Sequence, residues 1–337
     1  MSSVTRNSAD SPDVAADYAT VRQGVGILDR SDHGLLEVTG RDRASFLHAL
    51  VSNEVKALGP GQGCAATLLD IHGKVQFVLF LWVLEDKILI VTPPGTAAEA
   101  MEAFDKYLFS EKAFFRDATG ELALPMLAGA SAAALAERLA GARPGEAPWS
   151  SVPGKIDGAA VVLVRGGGET GADEVWIVAP ASDKDGVWRA AVAAGARPIG
   201  GEALETLRIE AGTPRFGVDV DATVLLPEIP FASLLSHSKG CYPGQEVVVR
   251  IRDRGHVNRL LRGLVVEGDA LPARGAEVSA GGAVIGHVTS ATRSPGLGRA
   301  IALAFVRRQH AEAGAPVTVR VGERDVPATV SDLPFVR

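Results

Sequence analysis

At about Val257 the sequence changes its grammar, and this change constrains the fold more than any single motif. Upstream, β-rich runs alternate with stretches whose apolar residues recur at helical spacing. Downstream there are only short β segments broken by glycine, at 259–267, 276–279, 283–290, 299–306, 317–321 and 326–330, with a hairpin signal at Ala280-Gly-Gly-Ala283. Short strands at this spacing, with no helix to cover them, close on themselves as a small barrel or jelly roll of one domain's length.

The upstream text is itself doubled. Residues 35–39 read as a strand, Gly40 breaks it, and Asp42 stands where it can cap a helix carrying Phe46, Leu47, Leu50 and Val51 on one face. Three β-rich runs at 64–69, 74–84 and 87–92 are parted by the turn pairs His72-Gly73 and Glu85-Asp86 and predict an antiparallel meander. Pro93-Pro94-Gly95 stops it, and Thr96 to Leu108 reads as a helix. A similar order returns as a strand near 121–127, a helix over 131–140, strands near 158–165 and 173–179, and helices over 184–194 and 202–211. The expected fold class is α+β: two related lobes of antiparallel sheet and helices, followed by the barrel. The expected divisions are a flexible arm over 1–16, with order beginning near Tyr18, and a first lobe over 17–117 completed by about 213–256. A second, ferredoxin-like lobe spans 118–212 and the barrel spans 257–337.

Composition excludes several classes. The 337 residues carry 34 Lys and Arg against 40 Asp and Glu, a net charge of −6, the wrong sign for a chain that coats nucleic acid or anionic membrane. Direct nucleic-acid binding is not expected, and only the basic segment Arg250, Arg252, Arg254, His256, Arg259 and Arg262 suits an anionic tail or a phosphate. The longest apolar run, Phe77 to Leu84, is far short of the ~20 residues of a membrane span. Only two cysteines, Cys64 and Cys241, are present, too few for a disulfide framework or a complete cluster-ligating set. A reducing, cytoplasmic setting fits. His33, His48, His72, His287 and His310 follow no metal-ligand spacing, so no metal site is expected.

The most information-dense stretch is Lys239-Gly-Cys-Tyr-Pro-Gly-Gln-Glu246. Two glycines and a proline force a tight turn, and if a helix follows, Cys241 stands ahead of its backbone N–H groups and near the Lys239 ammonium, both favouring thiolate. A packed, inert cysteine is the alternative, and its glycine-rich polar neighbours weigh against it. His237, four residues upstream, is the candidate base for a cysteine hydrolase, but no oxyanion motif accompanies it. Cys64 opens a predicted strand and reads as a packed residue. In Leu207-Arg-Ile-Glu-Ala-Gly-Thr-Pro-Arg-Phe-Gly-Val-Asp219 a helix ends with Glu210 in its last turn, where an acid opposes the helix dipole. Such a carboxylate can accept two parallel hydrogen bonds from an amidine-like edge such as that of a pterin; a solvated glutamate is the plain alternative. Gly166-Gly-Gly-Glu-Thr-Gly171 matches a dinucleotide pattern literally but lies between two strands with no helix after it, so it reads as a hairpin loop.

The segment Lys239–Glu246 resembles the signature of YgfZ-type folate-binding proteins, relatives of the glycine-cleavage T-protein. Leu207-Arg-Ile-Glu-Ala-Gly212, Pro227-Glu228, Gly26-Ile-Leu-Asp-Arg-Ser31, Val38-Thr-Gly-Arg-Asp42, Phe46-Leu47, Ser52-Asn-Glu-Val55, Gly286-His-Val-Thr-Ser290 and Ser294-Pro-Gly-Leu-Gly298 are similar to the same superfamily, so the likeness covers roughly 20–335. The resemblance implies three domains around a central channel holding tetrahydrofolate. It implies that Glu210 grips the pterin, with Arg208, Tyr242, Gln245 and Glu246 as further folate-binding residues. It further implies that Cys241, supported by Lys239, is a functional thiol in assembly or repair of iron–sulfur client enzymes, some of them tRNA-modifying.

One departure bears on activity. Aminomethyltransferases of the superfamily carry an Asp-Asp pair in the strand after the His72-Gly73 turn, where this chain has Phe77 and Val78. Neither can move a proton, and the nearest upstream acid is Asp70. The expectation is therefore a folate-binding accessory protein, against a folate-dependent aminomethyltransferase or demethylase working through Asp70, or a non-catalytic scaffold.

Overall fold

The computed structural model describes residues 13–336. Residues 1–12 of the expected arm lie outside these, and its last residues are not an arm. Helix α1 (Val14–Gln23) starts four residues before Tyr18, because the Asp13 carboxylate accepts from the amides of Ala15 and Ala16, each at 3.0 Å. Six further α-helices follow among the described residues: α2 (Arg43–Leu50), α3 (Ala97–Asp105), α4 (Ala132–Ala140), α5 (Lys184–Ala193), α6 (Gly201–Glu210) and α7 (Gln245–Arg254). The expected Asp42 cap of α2 is not made. Its carboxylate accepts instead from the Lys112 amide at 2.8 Å, pinning the approach to the strand Phe114–Asp117.

The first sheet has five strands in the order 63–69, 75–83, 88–94, 33–39, 114–117, with the expected meander antiparallel throughout. Its alternating residues Phe77, Leu79 and Leu81 pack with α2 and α3 in one core. The second sheet holds the strands 159–165 and 174–180 joined by the Gly166–Gly171 loop as a hairpin, with 151–156 and 125–128 beside them. Its edge corrects the expected first lobe. Gly26–Asp29, counted with residues 17–117, pairs antiparallel with Pro125–Ala128 and parallel with Arg197–Pro198, so α1 and this strand belong to the second sheet. Periodicity could not reveal this, because four residues are too short to carry a pattern. Aromatic contacts join the sheets, among them Phe80 stacked on Trp149 at 4.3 Å between centroids and Trp82 meeting Trp176 edge-on at 6.0 Å.

From Arg259 the chain forms a closed six-stranded barrel, order 259–266, 299–307, 283–294, 277–280, 316–321, 324–331. The hairpin at Gly281-Gly282 has both glycines at positive φ, +58° and +81°, the two-residue turn that suits the strand twist. The fold is thus the expected pair of α+β lobes and barrel. Residues 213–256 lie against the first lobe: Val75 donates to the Val224 carbonyl at 2.9 Å, and the Ser52 hydroxyl donates to the Leu234 carbonyl at 2.5 Å.

Candidate functional site

Helix α6 carries the first candidate group, and its sequence explains its seat. Thr206, Arg208 and Glu210 meet Thr292, Ser290 and Ser294, which alternate along one face of the barrel strand 283–294. One helical turn from Thr206 to Glu210 advances about 6 Å and the two strand residues from Thr292 to Ser294 nearly the same, so these two pairs stay in step, while the longer Arg208 reaches back to Ser290. Glu210 is fully buried. One carboxylate oxygen accepts from the Ser294 hydroxyl and from the Gly296 amide at 3.3 Å; the other accepts from the Tyr18 hydroxyl and from Arg22 of α1, both at 2.8 Å. These four donors offset the unfavourable end of the helix dipole. Burial and the neighbouring carboxylate push the Tyr18 hydroxyl above its ordinary range.

Arg208, also fully buried, has no donor left to offer a ligand. It pairs with Asp219 at 2.6 Å and Glu205, and donates to Ser290 at 2.6 Å and to the Thr213 carbonyl at 3.2 Å. Asp219 in turn accepts from Thr289, from Ser290 at 2.6 Å and from the Arg215 amide at 2.9 Å. Arg208 and Asp219 therefore tie α6, the 213–219 turn and the barrel into one body.

The second candidate region is the loop 239–246. Lys239 is buried, and its ammonium donates to the carbonyls of Val51, at 2.6 Å, and His48, closing off the C-terminal end of α2 while lying 5.0 Å above the Tyr242 ring. Burial pulls Lys239 down to about 8 and pushes the Tyr242 hydroxyl up to about 12. The ammonium's hydrogen bonds thus go to backbone carbonyls rather than to Cys241. Gly244 adopts φ +76°, and a Cβ there would stand 2.4 Å from the Asp70 carbonyl, so only glycine lets this turn close on the 70–73 turn. One carboxylate oxygen of Asp70 accepts from the amides of His72 at 2.8 Å and Lys74 at 2.9 Å, and the other has no partner among the described residues. Between these anchors Cys241 is exposed, four residues ahead of α7, with Glu246 exposed and Gln245 half-buried in the first turn of that helix. His237, the sequence candidate for a base, bonds Arg252 at 2.9 Å. Cys64 is buried, and burial pushes its thiol up to about 12.

The structure brings Glu210 together with partners that sequence reasoning missed: Tyr18 and Arg22, 192 and 188 residues away, and Ser294. The spacing of Tyr18 and Arg22 on one face of a helix was the available signal. Phe77 is buried and stacks on Phe216 at 5.9 Å, so the strand after the 70–73 turn offers an apolar face there. Much of the basic segment is paired within the molecule: Arg252 with Asp253, Arg259 with Glu228, Arg262 with Asp332.

Two family models match this arrangement end to end, the GCVT N-terminal domain over residues 5–237 and the glycine cleavage T-protein C-terminal barrel domain over 259–337. The chain belongs to the glycine cleavage T-protein family. Among its relatives are aminomethyltransferases of Rubrobacter xylanophilus, 34% identical over 96% of this chain and 86% of that one, and of Thermus thermophilus, 32% identical over 96% and 90%. A putative chloroplastic transferase of Arabidopsis thaliana is 29% identical over 98% and 75%. The crystal structure of the glycine cleavage system aminomethyltransferase T from Bartonella henselae superposes with a TM-score of 0.87 at 23% identity, covering 97% of this chain and 91% of that one, and so shares the T-protein fold. Among the described residues no helix is long and apolar enough to cross a membrane.

Proposed function

We propose that this T-protein-family chain is a tetrahydrofolate-binding accessory protein that supports assembly or repair of iron–sulfur clusters in client enzymes, tRNA-modifying ones among them, in the cytoplasm. Its working group is the Cys241 thiol. The observation that carries this reading is the loop 239–246: buried Lys239 and the Gly244 turn hold it rigidly against the first lobe, and Cys241 stands exposed between them. Rigid presentation of a lone thiol suits a thiol that meets a partner protein. One thiol completes no cluster ligand set, so any cluster is the client's.

Tetrahydrofolate enters through the family. The paired oxygens of Glu210 suit the amidine edge of a pterin, and because each already accepts from two donors, a pterin held by both competes with Tyr18 and Arg22 at one and with Ser294 and the Gly296 amide at the other. Arg208 acts in this reading as a positioning residue that holds α6 on the barrel, and Tyr242 as the ring on which Lys239 rests. Gln245 and Glu246, whose side chains make no hydrogen bond among the described residues, are the groups of α7 left for folate or a client.

The aminomethyltransferase name of the relatives favours a second reading, folate-dependent aminomethyl transfer. Buried Phe77 at the position of an acid weighs against it, whereas the unpartnered oxygen of Asp70 leaves that carboxylate available to it. Calorimetric titration with tetrahydrofolate, beside an assay of client maturation, separates the two. Wild type and Cys241→Ser bind folate alike, Glu210→Gln binds at least tenfold more weakly, and only Cys241→Ser folds and binds yet fails to support the client. Full client support by Cys241→Ser overturns the thiol reading. Folate-dependent consumption of a methylamine-type donor, abolished by Asp70→Asn and untouched by Cys241→Ala, establishes the transferase.

A further inference from the structure

Beside the Arg208–Asp219 cluster, a cavity of about 130 Å³ opens where the chain leaving α6 crosses the barrel. Its floor is Phe305, with the Arg259 guanidinium 4.5 Å above the ring centroid and the His287 ring 5.9 Å from it. Arg274 and Asp221 complete the walls.

Two charged groups of this cavity, Arg274 and Asp221, form no ion pair among the described residues. Arg259 engages Glu228 through two nitrogens, at 3.1 Å each, leaving one nitrogen unused, and Asp219 on the wall is wholly taken by Arg208 and its neighbours. Arg274 uses one terminal nitrogen on the carbonyls of Val218, at 2.8 Å, and Gly217, at 3.3 Å; the rest of its guanidinium is unengaged. One oxygen of Asp221 accepts from the Thr223 amide at 2.8 Å and hydroxyl at 2.6 Å, and the other has no partner among the described residues. Neither arginine forms an ion pair with Asp221, although both lie near enough, behind Thr223, to help hold its carboxyl below the ordinary range. Burial and Arg259 push His287 down, so at neutral pH its ring adds a neutral donor–acceptor rather than a third cation. The cavity thus gathers the unengaged nitrogens of exposed Arg274 and the unpartnered oxygen of exposed Asp221, with no bond between them, over an aromatic floor.

We propose that this cavity binds a small α-amino acid as its zwitterion, the carboxylate on the free nitrogens of Arg274 and Arg259 and the ammonium on the unpartnered oxygen of Asp221. A simple anion is repelled by Asp221, and a metal cation by the two guanidinium groups. A ligand carrying both signs suits both walls, and the volume has room for a molecule the size of glycine, alanine or serine. The site makes no use of Glu210 or Cys241, so it stands whether or not the folate reading holds.

Calorimetric titration of the full chain with glycine and L-alanine tests this, with acetate, methylamine and inorganic phosphate as partial ligands. Saturable binding of the amino acids is expected at millimolar concentration or tighter, with acetate and methylamine each at least tenfold weaker. Asp221→Asn, which keeps the Thr223 contacts, and Arg274→Ala each weaken amino-acid binding tenfold or more. A shared thermal unfolding midpoint identifies them as folded. Absence of saturable binding of either amino acid up to about 10 mM, an unchanged affinity in Asp221→Asn, or tighter binding of phosphate or acetate than of the amino acids overturns the proposal.

Discussion

Residues 207–219 turn their charges inward, whereas residues 239–246, a few turns further along, turn one thiol outward. In the first segment Arg208, Glu210 and Asp219 are buried and every one of them is held by partners from the barrel or α1. In the second, Lys239 and Tyr242 are buried as anchors and the Cys241 thiol between them is exposed. Polar residues that break local rules therefore serve two ends here. Inward, they order three elements distant in sequence; outward, they fix the backbone beneath a reactive atom.

The sharpest way to break this contrast is at its buried ion pair. Asp219→Ala leaves the Arg208 guanidinium buried opposite Glu205 alone and removes the acceptor of the Ser290 hydroxyl, while Thr289 keeps the Leu303 carbonyl, an expected loss of about 3–5 kcal/mol read from urea unfolding. A loss within the range of surface substitutions would show the two charges to be less enclosed than their full burial implies. Glu210→Gln is milder, about 1–3 kcal/mol, because Ser294 and Tyr18 can still bond an amide while Arg22, partly exposed, regains water. Adding Arg22→Gln to it should give much less than the sum of the two single losses, since both act on one contact.

Which of this was legible in the sequence follows from distance along the chain. The barrel, the meander and most helices carry their periodicity within a dozen residues, and their observed bounds fall close to expectation. Glu210 was legible as an anomaly, an acid at the wrong end of a helix, but its resolution lies 192 residues upstream and 84 downstream, where Tyr18 and Ser294 look ordinary. Arg208 and Tyr242 stand beside these stronger signals, and their contacts are not legible in the sequence: the guanidinium makes five hydrogen bonds and the ring lies beneath Lys239. The strand Gly26–Asp29 went to the wrong lobe because register partners, not its own four residues, decide its sheet.

Cys64 sharpens the comparison through pH. Below pH 9.0, its ordinary pKa, the thiol is protonated whether the chain is folded or not. Above that, only the unfolded thiol ionises until about 12, so the stability held at neutral pH is lost at up to about 1.4 kcal/mol per pH unit. Urea midpoints of wild type should fall more steeply between pH 9 and 11 than those of Cys64→Ala. Parallel curves would mean that the thiol is wetter than its burial indicates.

Cys241 makes the smallest prediction in energy and the cleanest in chemistry. Its side chain is exposed and the anchors of its loop belong to Lys239 and Gly244, so Cys241→Ser should change stability by no more than about 0.5 kcal/mol. The same substitution should remove all rapid reaction of the native chain with a disulfide reagent, since the remaining thiol, Cys64, is enclosed and held protonated. Denaturant should then release one slow thiol in the variant and, in wild type, one beyond the fast one. Two fast thiols in the native wild type would open the first lobe at Cys64, and a large destabilisation by Cys241→Ser would mean that the sulfur packs after all. Either result erases the division between an inward segment that builds the molecule and an outward one that the fold leaves free to react.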